Sequence, residues 1–456
     1  MNKRGFASRT GYILSLAGFC IGIGNMWKFP YIVGANGGGA FLIVYVILAM
    51  FVGVPLFIVE TTLGRTSQLS GIAGMRKLSG EKGGWFWSLG VGWLGVASVF
   101  LICCYFWTIM GWNVGYIWMV ASGELYGIDN EAASQVFNSF SGSGSCVLCC
   151  ILCAAIVWTV MNTGVKRGVE KLCTFAMPLL VILLLGLAVY ANTLPGSHTG
   201  LMWYLTPDFK SVDFLQIFQA AAVQVFYSIG VGMCCGFVYG SYTGRDAAMV
   251  TDTAICGALN TLVATLAGLT IIPALFAFDI EPTSGPSLIF VTLPQMFSAM
   301  GNVTGRVFGS VFLIAVFLAC ITSIVGVIES LVANLVDEFG WKRKTALRIT
   351  MLSTVGLSVI ITLNQGTGLL SHFRAFGMDI FSIFDCVSSA FGLTIGTALM
   401  LAFVLFKWGF ERFRREANLG SEGTIRIYSG MKWYYQAVLP VVLLFIIYCI
   451  LNSYFG

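Results

Sequence analysis

The chain has 456 residues, of which 57% are hydrophobic and only 10% are charged, and its mean hydropathy is +0.87. Soluble domains are about one-quarter charged, so this composition excludes a soluble globular protein and indicates an integral membrane protein. The formal net charge of +5 is interpreted below as a sign of orientation and of contact with anionic membrane lipid, and not of nucleic-acid binding.

Apolar runs of about 18 residues or more recur along the chain, which is the pattern of membrane-spanning helices. We predict eleven spans within a single transmembrane domain, residues 1–456, with polar connectors at 64–84 and 408–435. The first run lacks a small-residue cleavage site, so we expect it to remain as a span and not to be removed as a signal peptide. The predicted spans cover about residues 10–35, 40–62, 86–120, 146–162, 170–191, 214–240, 248–277, 306–336, 346–363, 379–407 and 436–454.

The distribution of Lys and Arg predicts the orientation of these spans, because cytoplasmic loops are enriched in basic residues. With the N-terminus in the cytoplasm, all but four of the 25 Lys and Arg residues fall on the cytoplasmic side. The four on the outer side are Lys28, Lys210, Arg306 and Arg374. An odd number of spans then places the C-terminus outside, and we expect a multi-pass protein of the cell (inner) membrane.

Spans 1 and 6 are each interrupted near the middle by glycine-rich sequence, GIGN at 22–25 and SIGVGMCCG at 228–236. An unpaired backbone group in hydrocarbon costs several kcal/mol, so such a break survives only where it lines a cavity or contacts a ligand. Its free N–H groups suit a carboxylate, and its free C=O groups suit a cation such as Na⁺. Two breaks, with Asn25 and Ser228 beside them, therefore favour a transporter's binding site over packing kinks.

The two interrupted spans are five spans apart, so they occupy matching places in two halves of opposite orientation. We expect one repeat at about residues 8–192, a second at about 212–408, and an extra helix at about 436–454.

Other polar residues also lie at membrane depth. Glu60 and Glu329 are carboxylates within apolar runs, and we interpret both as acceptors for backbone N–H groups at a helix break. Most cysteines lie in apolar runs and are interpreted as small apolar residues of helix interiors. The four cysteines on one face of span 4 have no nearby acid or histidine, which argues against a zinc site. These four are Cys146, Cys149, Cys150 and Cys153.

Several segments, in order along spans 1 to 10, resemble the neurotransmitter:sodium symporters. The segments are GNMWKFPYIVGANGGGAFLIVY at 24–45, VGVPLFIVETTLGR at 52–65, TIMGW at 108–112 and ITSIVGVIESL at 321–331. The resemblance implies an all-α integral membrane protein with the LeuT fold, a 5+5 inverted repeat with discontinuous helices 1 and 6. It also implies sodium-coupled import of an amino acid by alternating access.

The resemblance implies two sodium sites built from oxygen atoms, which a hard cation prefers. The first site is formed by the substrate's carboxylate together with the Cys20 carbonyl and the side chains of Asn25, Ser228 and Asn260. The second is formed by the carbonyls of Gly18, Ile21 and Ala319 and the hydroxyls of Thr322 and Ser323.

The resemblance also implies a substrate site between spans 1, 3, 6 and 8. The backbone N–H groups of Gly22, Ile23 and Gly24 face a carboxylate, and Gly22 stands where amine carriers have Asp. Because the lining is mostly apolar, we expect an aliphatic or aromatic amino acid. The expected lining is Phe19, Gly22, Ile23, Gly24, Ile102, Phe106, Tyr227, Ser228, Gly230, Met233, Ser323 and Val327.

Two positions depart from the family pattern. Phe106 occupies the place where the family has a tyrosine whose hydroxyl contacts the substrate's carboxylate. Without that hydroxyl, a charge-assisted hydrogen bond worth about 1.5–3 kcal/mol is lost. Either Tyr105 or Tyr227 compensates, or the substrate is not a standard α-amino acid. Ala264 stands where other members have Ser or an acid, which leaves chloride dependence open. The residues that surround the expected chloride position are Tyr45, Gln224, Ser228 and Asn260.

Residues expected to close the two ends of the path also follow from the resemblance. Lys28 and Asp385 would form an outer ion pair above a lid of Phe106 and Tyr227. On the inner side, Arg4 or Lys3 would pair with Asp337 near Tyr242, and Phe6 replaces the usual Trp.

The leading hypothesis is a sodium-coupled amino-acid symporter whose partners are a small-molecule substrate and membrane lipid. Alternatives are a carrier of an amine or modified amino acid, or a ligand sensor or ion channel on the same fold. The chain shows no nucleophile–base arrangement, so an enzyme is not expected. Oligomeric state is not predicted.

Overall fold

The structure is a computed structural model that describes residues 5–80, 83–210, 212–280, 288–421 and 425–455, and these form an all-helical protein. Nine helices in this part of the chain are long and apolar enough to cross a membrane. They correspond to predicted spans 2–5 and 7–11 and keep those numbers below. Their bounds are Gly39–Ser67, Gly84–Ser122, Gly144–Asn162, Val165–Ala191, Met249–Ala277, Asn302–Phe339, Arg343–Leu363, Ile380–Trp408 and Ser429–Ile450.

Spans 1 and 6 are both discontinuous, as the glycine-rich segments predict. Span 1 is helical over Arg9–Cys20, leaves helical geometry at Ile21, and resumes as a π-helical turn that leads into Phe29–Ala35. Span 6 is helical over Phe214–Ile229 and again over Cys235–Ser241. Its first half ends at Gly230, whose φ of 71° lies in the left-handed region that glycine adopts without strain.

The connectors contain short helices that the hydropathy pattern does not reveal. Both segments predicted as polar connectors are partly helical, over Gly71–Ser79 and Phe410–Ala417. A further helix, Asn130–Ser141, joins spans 3 and 4, and its first turn is capped by the carboxylate of Asp129. The remaining connectors include Ser197–Leu205 and Leu293–Ala299.

Close helix packing fixes the second half of span 6 against span 2. An added Cβ at Gly64 would lie 1.8 Å from the carbonyl oxygen of Phe237, and one at Gly240 would lie 2.2 Å from that of Thr61. Only glycine permits this approach, which is the usual role of small residues between membrane helices. Span 8 packs along span 3, and it also contacts the first half of span 1.

Glu60 of span 2 accepts hydrogen bonds from the backbone at the break in span 6. Its carboxylate accepts hydrogen bonds from the backbone N–H groups of Gly232, at 2.8 Å, and Phe237, at 3.3 Å. The side chain is buried, so these bonds satisfy donors that the break leaves without helical partners. The interpretation of Glu60 as a structural acceptor is confirmed.

Candidate substrate and sodium site

The two helix breaks face one small enclosed cavity between spans 1, 3, 6 and 8. Its volume is about 40 Å³, which is room for about three water molecules at roughly 10–15 Å³ each. All twelve residues expected to contact substrate line this cavity, together with Cys20 and Asn25. A whole amino acid therefore enters only when these walls move apart.

Glycine exposes the main chain of span 1 to this cavity. A Cβ at Gly22 would lie 3.0 Å from the hydroxyl oxygen of Ser323, and a Cβ at Gly24 would lie 2.5 Å from the ring of Tyr227. The rings of Phe19 and Tyr227 thus pack directly on backbone, Phe19 against Gly230 and Tyr227 against Gly24. A side chain at either glycine of span 1 would displace the walls of the cavity.

A buried polar cluster lies beside the cavity where spans 1, 2, 6 and 7 meet. The side-chain amide of Asn25 donates to the carbonyl and the amide oxygen of Asn260 at 3.0 and 2.9 Å. The hydroxyl of Ser228 donates to the amide oxygen of Asn25 at 3.2 Å and accepts from the amide of Asn260 at 2.7 Å. Tyr45 lies 3.1 Å from the same hydroxyl, and Gln224 donates to the carbonyl of Gly24 at 3.1 Å.

This cluster has the chemistry of an alkali-metal site. The side chains of Asn25, Ser228 and Asn260, each of which carries an oxygen atom, are joined by hydrogen bonds, and all three residues are no more than 2% exposed. Amide and hydroxyl oxygens are ligands of the kind that a sodium ion prefers. The amide oxygen Oε1 of Gln224 is buried and has no hydrogen-bond partner among the described residues.

A second set of oxygen atoms lies where the first half of span 1 ends against span 8. The hydroxyl of Ser323 donates to the carbonyl of Phe19 at 3.0 Å, and that of Thr322 donates to the carbonyl of Ala319 at 3.1 Å. A Cβ at Gly18 would lie 3.2 Å from the Cβ of Thr322. The last carbonyls of a helix lack partners within it, so the end of this half-helix at Cys20 supplies oxygen atoms next to the two hydroxyls.

The expected outer ion pair is not formed between the described residues Lys28 and Asp385. The ammonium of Lys28 lies 4.0 Å from the centroid of the Tyr227 ring. The carboxylate of Asp385 instead accepts from the hydroxyls of Tyr105, at 2.9 Å, and Ser389, at 2.8 Å. Each charge has a nearer partner, a ring face for the cation and two hydroxyls for the anion.

The same contacts distinguish the two tyrosines considered as substitutes at Phe106. Tyr105 points to Asp385 and is not part of the cavity wall, whereas Tyr227 lines the cavity. Of the two tyrosines, Tyr227 alone presents its ring to the substrate cavity.

At the inner end, Arg4 and Lys3 lie outside the described residues, and Asp337 has a structural contact. Its carboxylate accepts from the backbone N–H of Ser70 at 2.9 Å, where the helix Gly71–Ser79 begins. Phe6, which replaces the usual Trp, stacks on Tyr239 with the ring centroids 5.5 Å apart and also contacts Tyr12 and Tyr242.

A buried ion pair that sequence reasoning missed joins spans 8 and 9. Arg343 donates to both carboxylate oxygens of Glu329 at 2.8 and 2.6 Å, and Tyr242 donates to the same carboxylate at 2.6 Å. The interpretation of Glu329 as an acceptor for helix-break backbone is therefore wrong, because its partners are side chains. The available signal was an intramembrane acid followed 14 residues later by an arginine beyond a turn.

Comparison with known proteins agrees with this architecture. The sequence matches the model of the "Sodium:neurotransmitter symporter family" over residues 3–128 and 124–455. It is 30% identical to an "Uncharacterized sodium-dependent transporter" of Haemophilus influenzae, over 97% of this chain and 97% of that protein. A relative of the same description from Bacillus subtilis is 30% identical over 97% of this chain and 96% of that protein.

Among solved structures, the fold is similar to that of MhsT in complex with L-phenylalanine. The TM-score is 0.86 at 30% sequence identity, and the match covers 98% of this chain and 100% of the MhsT chain.

Proposed function

The chain belongs to the sodium:neurotransmitter symporter family and has the LeuT fold, and from this premise we propose that it imports a small amino acid together with sodium. It is a multi-pass membrane transporter and not an enzyme. One observation carries the proposal: two interrupted spans and a set of buried oxygen atoms meet at one enclosed cavity. We further propose two sodium sites and a cytoplasmic N-terminus with the C-terminus outside.

The proposed coupling follows from the chemistry of the break in span 1. The substrate's carboxylate accepts from the backbone N–H groups of Gly22, Ile23 and Gly24. It also completes the oxygen shell of the sodium held by Asn25, Ser228 and Asn260. Each ligand then strengthens binding of the other by the same factor, since coupling between two sites is reciprocal. Alternating access moves spans 1, 2, 6 and 7 against the remaining helices, and the two broken spans lie in matching places of two inverted repeats.

The apolar lining supports a hydrophobic or aromatic side chain. Phe19, Ile102, Phe106 and Val327 supply apolar wall, and Met233 adds a side chain that adapts to different shapes. The similar structure of MhsT contains L-phenylalanine, which supports an aromatic amino acid as the first substrate to test. Binding requires the walls of the cavity to move apart, because the volume of about 40 Å³ is too small for a whole amino acid.

A second candidate substrate class is an amine or a modified amino acid, and Phe106 is the observation that favours it. A phenyl ring cannot donate the hydrogen bond that a tyrosine at this position gives to a carboxylate. The hydroxyl of Tyr105 is bonded to Asp385 and does not replace it. A substrate without a free carboxylate loses no hydrogen bond when phenylalanine replaces tyrosine at this position.

Counterflow in proteoliposomes tests the proposal. Vesicles loaded with unlabelled amino acid should accumulate labelled amino acid from outside when sodium is present, and should not when choline or potassium replaces it. Decarboxylated analogues of the same amino acids distinguish the two substrate classes. Sodium-dependent ligand binding without counterflow would indicate a sensor and contradict transport.

A further inference from the structure

A large groove lies on the outer surface of the helix bundle, away from the substrate cavity. It has a volume of about 610 Å³, is open to the surface, and is lined by the end of span 3, the connecting helix Asn130–Ser141 and the start of span 4. We call it the span 3–4 groove. Span 3 ends at Ser122 and span 4 begins at Gly144, so the groove reaches from the hydrocarbon region to the membrane–water interface.

The lining of the groove changes from apolar to polar along its length. Val114, Met119 and Cys149 lie at its apolar end, and Trp118 has 70% of its surface exposed beside them. Glu124 lies past the end of span 3, at the polar end. Tryptophan is typical of the membrane interface, where its apolar ring and polar N–H contact both phases. The groove thus fits a molecule with an apolar chain and a polar head.

The negative charge of Glu124 at the polar end indicates which kind of polar headgroup the groove would bind. The carboxylate of Glu124 accepts a hydrogen bond from the hydroxyl of Ser122 at 3.0 Å. Within the described part of the chain it forms no ion pair, and the lining of the groove contains neither Lys nor Arg. The guanidinium of Arg306 lies near Gly123 but donates to the carbonyl of Ala121, at 3.0 Å, and is not part of this lining. A carboxylate and an exposed indole ring in the lining of one groove favour a cationic group, which the carboxylate pairs by charge and which the ring face also attracts.

We propose that the span 3–4 groove binds a phospholipid with a primary-amine headgroup, phosphatidylethanolamine, from the surrounding bilayer. Its ammonium pairs with Glu124 next to Trp118, and one acyl chain lies along Val114, Met119 and Cys149. A primary ammonium has three N–H donors for a carboxylate, whereas the trimethylammonium of phosphatidylcholine has none. With the orientation proposed above, the lipid belongs to the outer leaflet. This binding is independent of the substrate and sodium sites.

The chain carries its own probe of this groove. Among its 14 cysteines, all within the described residues, Cys149 alone is not buried. A lipid chain in the groove covers this thiol. The rate at which N-ethylmaleimide modifies Cys149, followed by mass spectrometry of the intact protein and its peptides, therefore reports occupancy of the groove.

The experiment compares the full chain in vesicles of phosphatidylcholine with the same chain in an equal mixture of phosphatidylcholine and phosphatidylethanolamine. Both lipids are zwitterionic, so the surface charge does not change. We expect modification of Cys149 to be several-fold slower in the mixture. Glu124→Gln should abolish this difference. Glu131→Gln removes an exposed acid from the connecting helix outside the groove, and it should keep the difference.

Equal rates in the two lipids, or a Glu124→Gln variant that keeps the difference, would overturn the proposal. If the thiol reacts too slowly to measure in both lipids, the amount of each lipid that stays bound after detergent extraction is measured instead. Native mass spectrometry should then find phosphatidylethanolamine retained on the wild-type chain and on Glu131→Gln, and lost from Glu124→Gln. Retention of the two lipids in equal amounts would contradict the proposal as clearly as equal rates.

Discussion

The ammonium of Lys28 lies 4.0 Å from the centroid of the Tyr227 ring, and the opposite side of the path is marked by Asp385, whose carboxylate is held by two hydroxyls. The Tyr227 ring also packs on the backbone of Gly24 at the break in span 1. The ring of Tyr227 therefore contacts both the ammonium of Lys28 and the backbone of Gly24 in the lining of the cavity. In this structure Lys28 contacts an aromatic ring, and the carboxylate of Asp385 contacts hydroxyl groups.

Coupling between Lys28 and Tyr227 should be measurable in a double-mutant cycle. We expect Lys28→Gln and Tyr227→Leu to be non-additive in sodium-dependent substrate affinity, with a coupling of about 0.5–2 kcal/mol. Lys28→Gln and Asp385→Asn should add to within about 0.5 kcal/mol, because these side chains have separate partners. Strong coupling in the second cycle and none in the first would show that the ion pair controls closure.

Phe106→Tyr should increase the affinity for a substrate with a free carboxylate. The new hydroxyl can donate a charge-assisted hydrogen bond worth about 1.5–3 kcal/mol, less the cost of fitting it into the cavity. Isothermal titration with an amino acid and its decarboxylated amine measures the effect, and only the amino acid should gain. Tyr105→Phe is the matched control, since its hydroxyl lies outside the cavity wall. Equal gains for both ligands would contradict a carboxylate at this place.

Ser228→Ala should raise the sodium concentration needed for half-maximal substrate binding. The hydroxyl lies within 3.2 Å of the amide oxygen of Asn25 and 2.7 Å of the amide of Asn260, so its removal takes one oxygen from the cluster. A thermal-shift titration with sodium, using potassium as the reference ion, measures the change. Thr270→Ala is the control in span 7, because that hydroxyl donates to the carbonyl of Leu266 in its own helix. A sodium titration unchanged by Ser228→Ala would remove this residue from the site.

Arg343→Met should destabilise the protein more than the double variant Glu329→Met with Arg343→Met. The side chain of Glu329 is 1% exposed, and a fully buried carboxylate left without its cation costs on the order of 3–5 kcal/mol of folding stability. The cost here is smaller than that, because the side chain of Arg343 is 34% exposed and solvent already screens the pair. Removing both charges avoids an unpaired buried carboxylate. Thermal unfolding in the same detergent measures both variants.

Arg76→Met provides the control for that comparison. Arg76 pairs with Glu338 at the surface, with 54% of its side chain exposed, and such pairs contribute about 0–1 kcal/mol. The Arg76→Met variant should therefore have an unfolding temperature close to that of the wild-type chain. A double variant as unstable as Arg343→Met alone would contradict the buried-pair argument.

The sequence by itself determined the features that depend on neighbouring residues. Hydrophobic length predicts where each span lies, and glycine-rich runs predict where spans 1 and 6 break. Both follow from the chain's local composition, because a span needs about 20 apolar residues and a break needs backbone freedom at one place. The family motif then allowed the cavity residues to be named. It did not reveal the helix Gly71–Ser79, which is too short to be recognised as a span and buries only one face, including Ile72 and Met75.

Only the tertiary structure decided which partner each charged side chain has. Asp385 meets Tyr105 across 280 positions of the chain, and Lys28 meets the ring of Tyr227 instead of Asp385. Glu329 pairs with an arginine beyond the next turn and with Tyr242, 87 positions earlier. A buried charge binds whichever donors or rings folding brings within a few ångströms, and that distance depends on how separate helices pack. The span 3–4 groove has the same origin, because three elements line it and none contains it alone.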